Sequence, residues 1–246
     1  MLNNFFLINS RILLPLLLFG LLTGKIRQGT YRALFRKKQG DLMIDFFNLI
    51  GIPVHELCHL IMGLLFGYRI KKICLYRRVS SARAGGGNLG YVRMQHKRNT
   101  FFQRLCDDVG QFFVGTGPVL LGPFLVCGIL MLIPEQARSI PVSLFDKEID
   151  TFSLIRSMTP GQICLTCFLI YAMIGISMNM ELSRADLSMA KKGFVFLEIL
   201  ILIASLILAR TDTVLLPSLD RTFRYLTSIY SVGIIAGLIA YILALL

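Results

Sequence analysis

Residues 42–68 read LMIDFFNLIGIPVHELCHLIMGLLFGY. This stretch is long enough to cross a bilayer, because about 20 predominantly apolar residues span the hydrocarbon core as a helix. It also contains four ionisable side chains, those of Asp45, His55, Glu56 and His59. Such groups are energetically costly inside a membrane unless they are paired or bind a metal. The stretch therefore predicts a membrane-spanning helix with a polar functional centre inside it.

The composition of the whole chain agrees with a membrane protein. Of the 246 residues, 55% are hydrophobic and only 16% are charged, whereas soluble domains carry about 25% charged residues. The formal net charge is +12, and the lysines and arginines fall almost wholly between apolar runs, as they do in membrane proteins. We therefore expect the basic residues to meet membrane lipids, with no nucleic-acid partner.

Further apolar runs predict the fold class. Together with residues 42–68 they indicate an all-α polytopic protein with about six transmembrane helices, integral to the membrane and multi-pass. Lysine and arginine divide almost evenly between the two sides of this arrangement, so charge leaves its orientation open. The other five runs are residues 5–22, 112–133, 163–180, 194–208 and 225–246.

The segment 69–94 has a different sequence pattern from the apolar runs, since short apolar stretches flank the glycines at 85–87. It predicts a short β-hairpin or sheet insertion between helices 2 and 3, joined by a glycine-rich turn. The basic stretch at 25–40 predicts an interfacial amphipathic segment that anchors the chain. We divide the chain into an N-terminal transmembrane helix with this basic segment (1–41), a core with helices 2–4 and the insertion (42–193), and a C-terminal helical pair (194–246).

The sequence His55-Glu56-Leu57-Cys58-His59 is an H-E-x-x-H motif. On a helix, residues four apart share a face, so the two imidazoles can converge on one ion. Glu56 stands where it can take a proton from a metal-bound water without being a ligand itself. The preceding Pro53 is tolerated in the first turn of a helix. The motif predicts one zinc ion per chain, bound by His55 and His59, with Glu56 as general base.

A third protein ligand is expected, because catalytic zinc has three and keeps one position for water. The residues alone leave the choice open. Asp107 and Asp108 stand at the start of a predicted helix, where carboxylates also stabilise the helix dipole. The remaining candidates outside the motif are Asp45, His96, Glu181 and Asp186.

The chain resembles the site-2 protease family of intramembrane zinc metalloproteases. The residues from His55 to Leu75 are similar to that family's motif helix, terminal glycine and first strand. Gly115-Thr116-Gly117-Pro118 is similar to its glycine-proline element. The segment from Asn179 to Asp186 resembles the part in which an asparagine precedes the aspartate ligand. The resemblance implies that Asp186 is the third zinc ligand and Asn179 a substrate-binding group.

The expected activity is therefore that of a zinc metalloendopeptidase. It would cleave a peptide bond of a transmembrane protein or peptide by metal-activated water, with Glu56 as general base. Two alternatives stay open. One is a membrane zinc protease that acts in a water-filled chamber with Glu181 as ligand in place of Asp186. The other is a non-proteolytic zinc-binding membrane protein that serves as a sensor, transporter or partner-binding protein.

Overall fold

The computed structural model describes residues 2–84, 87–95, 101–138, 151–209 and 216–246, and these residues are mostly helical. A π-helical turn (Asn9–Leu13) joins the first two helices, so that they form one long rod. The helices include α1 (Leu2–Ile8), α2 (Leu14–Phe35), α3 (Gly40–Leu65), α4 (Val79–Ala84), α5 (Phe101–Leu132), α6 (Thr151–Ser157), α7 (Pro160–Met178), α8 (Arg184–Ala209) and α9 (Leu216–Leu245), and the strands are β1 (Arg69–Cys74) and β2 (Tyr91–Gln95).

Among the described residues, five helices are long and apolar enough to cross a membrane. The predicted fifth run does lie in a helix, α8, but its apolar part is the shorter stretch Gly193–Ile207. The first turns of α8 carry Arg184, Asp186 and Lys191, and these charges shorten the apolar stretch. The five long spans are Asn4–Phe35, Gly40–Leu65, Asp107–Leu132, Pro160–Met178 and Leu219–Leu245.

The basic stretch after the first apolar run is helical as far as Phe35 and continues α2 without a break. No proline interrupts this stretch, and Thr30 and Leu34 are fully buried. Leu34 packs with Ile44 of α3 and Ala240 of α9 in one apolar cluster. One face of this stretch thus belongs to the helix bundle, which the interfacial interpretation did not predict.

The predicted strands are present as an antiparallel pair, with Ile73 opposite Val92 and Cys74 opposite Tyr91. The connection between them is more than a glycine turn, because it contains α4. The Asp45 carboxylate accepts hydrogen bonds from the backbone N–H of Val79 (2.8 Å) and the hydroxyl of Tyr76 (2.7 Å). These bonds fasten the connection to α3.

The sheet runs alongside α3. A Cβ atom built at Gly63 would lie 2.1 Å from the Met94 sulfur, and one built at Gly90 would lie 2.8 Å from Ile52 Cγ2. Strand β2 and the residues before it therefore cover the middle and the end of α3. Pro53 lies inside α3, not in its first turn as expected, so this helix begins well before the H-E-x-x-H motif.

The polypeptide between α7 and α8 interrupts the helical bundle beside the motif. Helix α7 ends at Met178 and α8 begins at Arg184, and we call residues 179–183 the α7–α8 break. Met180 in the break is 2% exposed and belongs to the main apolar cluster with Val119 of α5. The break is therefore an internal segment held between α2, α3 and α5.

Candidate metal centre

His55 and His59 lie on adjacent turns of α3 and point to the same side. Their Nε2 atoms are 3.0 Å apart. This closeness follows from the spacing of four residues, which places both side chains on one helix face. The sequence prediction that the two imidazoles converge is therefore confirmed.

The other ring nitrogen of each histidine is fixed by a backbone carbonyl. His55 Nδ1 lies 2.6 Å from the carbonyl oxygen of Asn179, and His59 Nδ1 lies 2.7 Å from that of Val114. A carbonyl oxygen can only accept, so each Nδ1 carries the proton and donates it. Each Nε2 is then left with a lone pair directed toward the other ring. This arrangement is typical of metal-binding histidines, whose second nitrogen donates to a carbonyl or carboxylate.

Asp186 supplies the third group. Its Oδ1 lies 3.1 Å from His59 Nε2, and its Oδ2 lies 3.6 Å from His55 Nε2. Burial raises the pKa of the Asp186 carboxyl, but in the metal-free site the Nε2 atoms can take up a proton, and the hydrogen bonds and charges of the protonated histidines outweigh burial and hold this pKa well below its usual range. The carboxyl group is therefore an anion in this environment.

Local sequence explains how Asp186 is aimed. The Asp186 carboxylate accepts a hydrogen bond from the backbone N–H of Ser183 (3.0 Å), and the Ser183 hydroxyl accepts one from the Asp186 N–H (3.2 Å). This reciprocal pair is a capping box, which satisfies free N–H groups at the start of α8. A role in capping alone would account for the carboxylate, but not for its contacts with two histidines.

The three groups fit a bound metal ion. One ligand atom of each of His55, His59 and Asp186 lies within 4.8 Å of the others. Two lone pairs and a carboxylate at such short distances repel one another unless a proton or a cation lies between them. The two Nε2 atoms are 3.0 Å apart, and the two oxygens of Asp186 lie 3.1 and 3.6 Å from them. Ligand atoms on a tetrahedral metal ion are separated by roughly 3.4 Å. The group could therefore hold a metal ion.

Glu56 lies beside this cluster and is only 8% exposed. It lines the same cavity as the three groups, with a volume of about 330 Å³. The backbone of Gly90 closes over it, since a Cβ atom built there would lie 2.9 Å from Glu56 Oε1. Residues 87–92, which lead into β2, form the opposite wall. The cavity thus places a carboxylate and an extended backbone segment next to the candidate metal centre.

Asn179 lines the cavity, and its side chain is directed away from the histidines. The amide Nδ2 donates to Asn48 Oδ1 (3.0 Å) and to the Gly175 carbonyl (2.9 Å). Its backbone carbonyl is the acceptor for His55, a contact that the sequence resemblance did not predict. The predicted role of Asn179 in substrate binding stays a prediction.

The other carboxylate candidates that the structure describes have different partners. Glu181 forms an ion pair with Arg27. Asp45 holds the segment after β1, and Asp107 accepts a hydrogen bond from Gln111 (3.0 Å). Neither these residues nor Asp108 joins the group that can hold a metal, and His96 lies outside the described residues.

Two residues near the site were not predicted to belong to it. Arg27 of α2 lines the cavity, although its segment was expected to be an interfacial anchor. Asn48 is fully buried and accepts hydrogen bonds from Asn179 and from Tyr31 (2.8 Å). The available signal was the spacing of Arg27 and Tyr31, four residues apart in a stretch without proline.

The fold and the site define a class: a mostly helical protein with membrane-type spans and a buried His-His-Asp group that can hold a metal ion. Comparisons with protein-family models, with curated proteins and with solved structures find no match.

Proposed function

We propose that this protein is a zinc-dependent intramembrane endopeptidase of the site-2 protease type, integral to the membrane and multi-pass. The observation that carries the proposal is the convergence of His55, His59 and Asp186 within 4.8 Å, on and beside a helix long and apolar enough to cross a bilayer. Few other roles explain two imidazoles and a carboxylate brought together on and beside such a helix.

In this proposal His55, His59 and Asp186 hold one zinc ion. Zinc bound at such a site lowers the pKa of a bound water toward about 7 and polarises a carbonyl. Glu56 takes the proton from the attacking water and passes it to the nitrogen of the leaving amine. The carbonyls of Asn179 and Val114 keep the two imidazoles in the tautomer that leaves Nε2 free.

The substrate is a transmembrane protein or peptide, and its cleavage site must be unwound before it can react. A transmembrane helix satisfies its own backbone hydrogen bonds and presents no free carbonyl. The start of β2, at Tyr91 and Val92, offers extended backbone at the cavity wall, where a substrate strand can add. Asn179 contributes to substrate binding. Substrates with helix-breaking residues near the cut are therefore preferred.

The experiment compares Glu56→Gln with wild type and with Glu135→Gln, the same chemical change at an exposed position outside the cavity. Each chain is expressed at equal level, and new peptide ends in the membrane fraction are measured by terminal-peptide mass spectrometry. Loss of the general base should lower cleavage by about 10²- to 10⁴-fold. Zinc measured by elemental mass spectrometry should stay near one per chain in all three proteins.

Three results would contradict this proposal, each at a different part. Unchanged cleavage in Glu56→Gln would remove the general-base role. Stoichiometric zinc without any peptide end that depends on Glu56 would support the non-proteolytic zinc-binding protein instead. Zinc that survives Asp186→Ala but not Glu181→Ala would support the glutamate-ligand protease.

A further inference from the structure

Three polar side chains of α2 form a stripe along the helix. Thr23, Arg27 and Tyr31 are spaced by four residues, so they lie on one face. We call them the α2 stripe. Gly24 lies next to it, and a Cβ atom built there would lie 3.4 Å from Glu181 Oε2. The absence of a side chain at Gly24 lets α2 approach the α7–α8 break closely.

Each member of the α2 stripe holds a different part of the break. The Thr23 hydroxyl lies 3.0 Å from the Met180 carbonyl oxygen and 2.9 Å from the Phe19 carbonyl oxygen of its own helix, so that its one proton is shared between the break and α2. Arg27 forms an ion pair with Glu181, and its guanidinium also donates to the Tyr31 hydroxyl (3.1 Å).

Tyr31 acts on the break through Asn48 of α3. The Tyr31 hydroxyl donates to Asn48 Oδ1 (2.8 Å), and the same oxygen accepts from the Asn179 amide (3.0 Å). Asn179 and Asn48 are 2% and 0% exposed, so these bonds are shielded from water. Three consecutive residues of the break, at 179–181, are thus held from α2, one of them through Asn48.

These contacts reach the candidate metal centre in two directions. The Asn179 carbonyl accepts the hydrogen bond that orients His55 (2.6 Å). After the break, the chain enters α8 through the capping box that aims Asp186. A shift of residues 179–181 would therefore move both an acceptor for one ligand and the carboxylate of another. Groups that orient metal ligands in this way affect affinity by about 10- to 100-fold.

We propose that the α2 stripe is a positioning element of the metal centre. It holds the α7–α8 break so that the Asn179 carbonyl and the Asp186 carboxylate meet the two histidines of α3. The inference rests on the metal-binding part of the proposed function and does not depend on proteolysis. It makes the N-terminal helix part of the site instead of a membrane anchor beside it.

The test uses conservative changes with matched controls, in the full-length protein in detergent and in a Glu56→Gln background. Tyr31→Phe removes one hydroxyl, and its control Tyr171→Phe removes a hydroxyl that donates to α3 at the Phe46 carbonyl (2.6 Å) away from the break. Thr23→Val is matched by Thr30→Val, because the buried Thr30 hydroxyl donates to the Ile26 carbonyl of its own helix (2.9 Å).

The first readout is the zinc dissociation constant from competition with a chelator. We expect Tyr31→Phe and Thr23→Val each to weaken zinc binding by about 10-fold, with both controls within about 2-fold of the parent. The visible spectrum of the cobalt-substituted protein should change in the stripe variants alone, because the ligand geometry changes. A purely structural role would lower stability and leave affinity and spectrum unchanged.

The second readout is hydrogen–deuterium exchange of the metal-free protein over residues 176–187. Both stripe variants should exchange faster there than their controls. The inference would be overturned if both stripe variants had the zinc affinity and the exchange rates of the parent. It would also be overturned if the controls lost as much zinc affinity as the stripe variants. Cleavage is measured separately in chains that keep Glu56. Tight zinc binding without any cleavage there would remove proteolysis but leave the inference standing, and an active protease whose zinc affinity is unchanged by both substitutions would do the reverse.

Discussion

The candidate metal centre is built from two regions that differ in kind. The motif turn of α3, from His55 to His59, is a continuous helix in which spacing along the chain places the two imidazoles on one face, with their Nε2 atoms 3.0 Å apart. The α7–α8 break is an interruption between two helices. It delivers Asp186 and the Asn179 carbonyl only because residues distant in sequence hold it.

The position of one group of ligands is set by local helix geometry, and the position of the other is set by tertiary contacts. Two ligands one turn apart stay on the same helix face in any variant in which the helix is intact. A ligand that follows a break depends on each contact that fixes the break. We therefore expect substitutions around the break to change metal affinity without changing the ligands, and substitutions at the end of α3 to change stability alone.

The largest effect is expected from loss of a ligand on the motif turn. His59→Ala should reduce bound zinc from about one per chain to near zero, because two ligands hold the ion poorly where catalytic sites have three. Elemental mass spectrometry of the purified protein measures it. His96→Ala, at the only histidine outside the motif, should keep the metal. Equal zinc loss in His59→Ala and His96→Ala would show that zinc binding does not depend specifically on the histidines of the motif turn.

A smaller effect is expected where α8 packs on α5. A Cβ atom built at Gly115 would lie 2.6 Å from the Asp186 carbonyl oxygen and 2.9 Å from the Ala190 nitrogen. Gly115→Ala should therefore push the start of α8 away and weaken zinc binding by about 10-fold, the lower end for displaced supporting groups. Gly128→Ala on the same helix is the control, since nothing lies within 4 Å of a Cβ atom there. Competition with a chelator measures the zinc affinity of both variants. An unchanged affinity in Gly115→Ala would contradict the idea that zinc binding depends on the packing of α8 on α5.

The smallest effect is expected at the end of α3. Gly67 has φ of 74°, and its N–H donates to the Leu64 carbonyl (3.0 Å) while that of Tyr68 donates to the Gly63 carbonyl (2.8 Å). This is a Schellman motif, which favours glycine. Gly67→Ala should lower the free energy of unfolding by about 1 kcal/mol and leave zinc affinity unchanged. Gly67→Asn should recover part of this loss of stability, as measured in a thermal melt. A change in zinc affinity in either variant would contradict the expectation that the end of α3 does not influence the metal centre.

Much of the α3 region could be predicted from the sequence. The convergence of His55 and His59 follows from a spacing of four residues, and the length of the span follows from its apolar composition. The two strands were predicted from the short apolar stretches on either side of the glycines at 85–87. The helix α4 between them was not, since it depends on the Asp45 carboxylate, which bonds Val79 from another element (2.8 Å).

The break region could be predicted less well. The residues alone left Asp186 among several carboxylates, and only the family resemblance favoured it. In the structure its carboxylate lies 3.1 Å from His59 Nε2, where α8 packs on α5. The partners of Glu181 and Asn179 lie on α2 and α3, more than 130 residues away. Arg27 looked like an anchor because its charge is visible in the sequence, whereas its buried partner becomes apparent only when the helices pack.

The order of elements along the chain also determines when the site can be completed. Thr23 of α2 and the histidines of α3 are translated early, but Met180 and Asp186 come late, and Thr23 and Met180 stand 157 residues apart. At elongation rates of roughly 5 to 20 residues per second, the nascent chain carries the histidine pair without its carboxylate for on the order of ten seconds. The His-His-Asp group therefore stays incomplete until α8 has been synthesised.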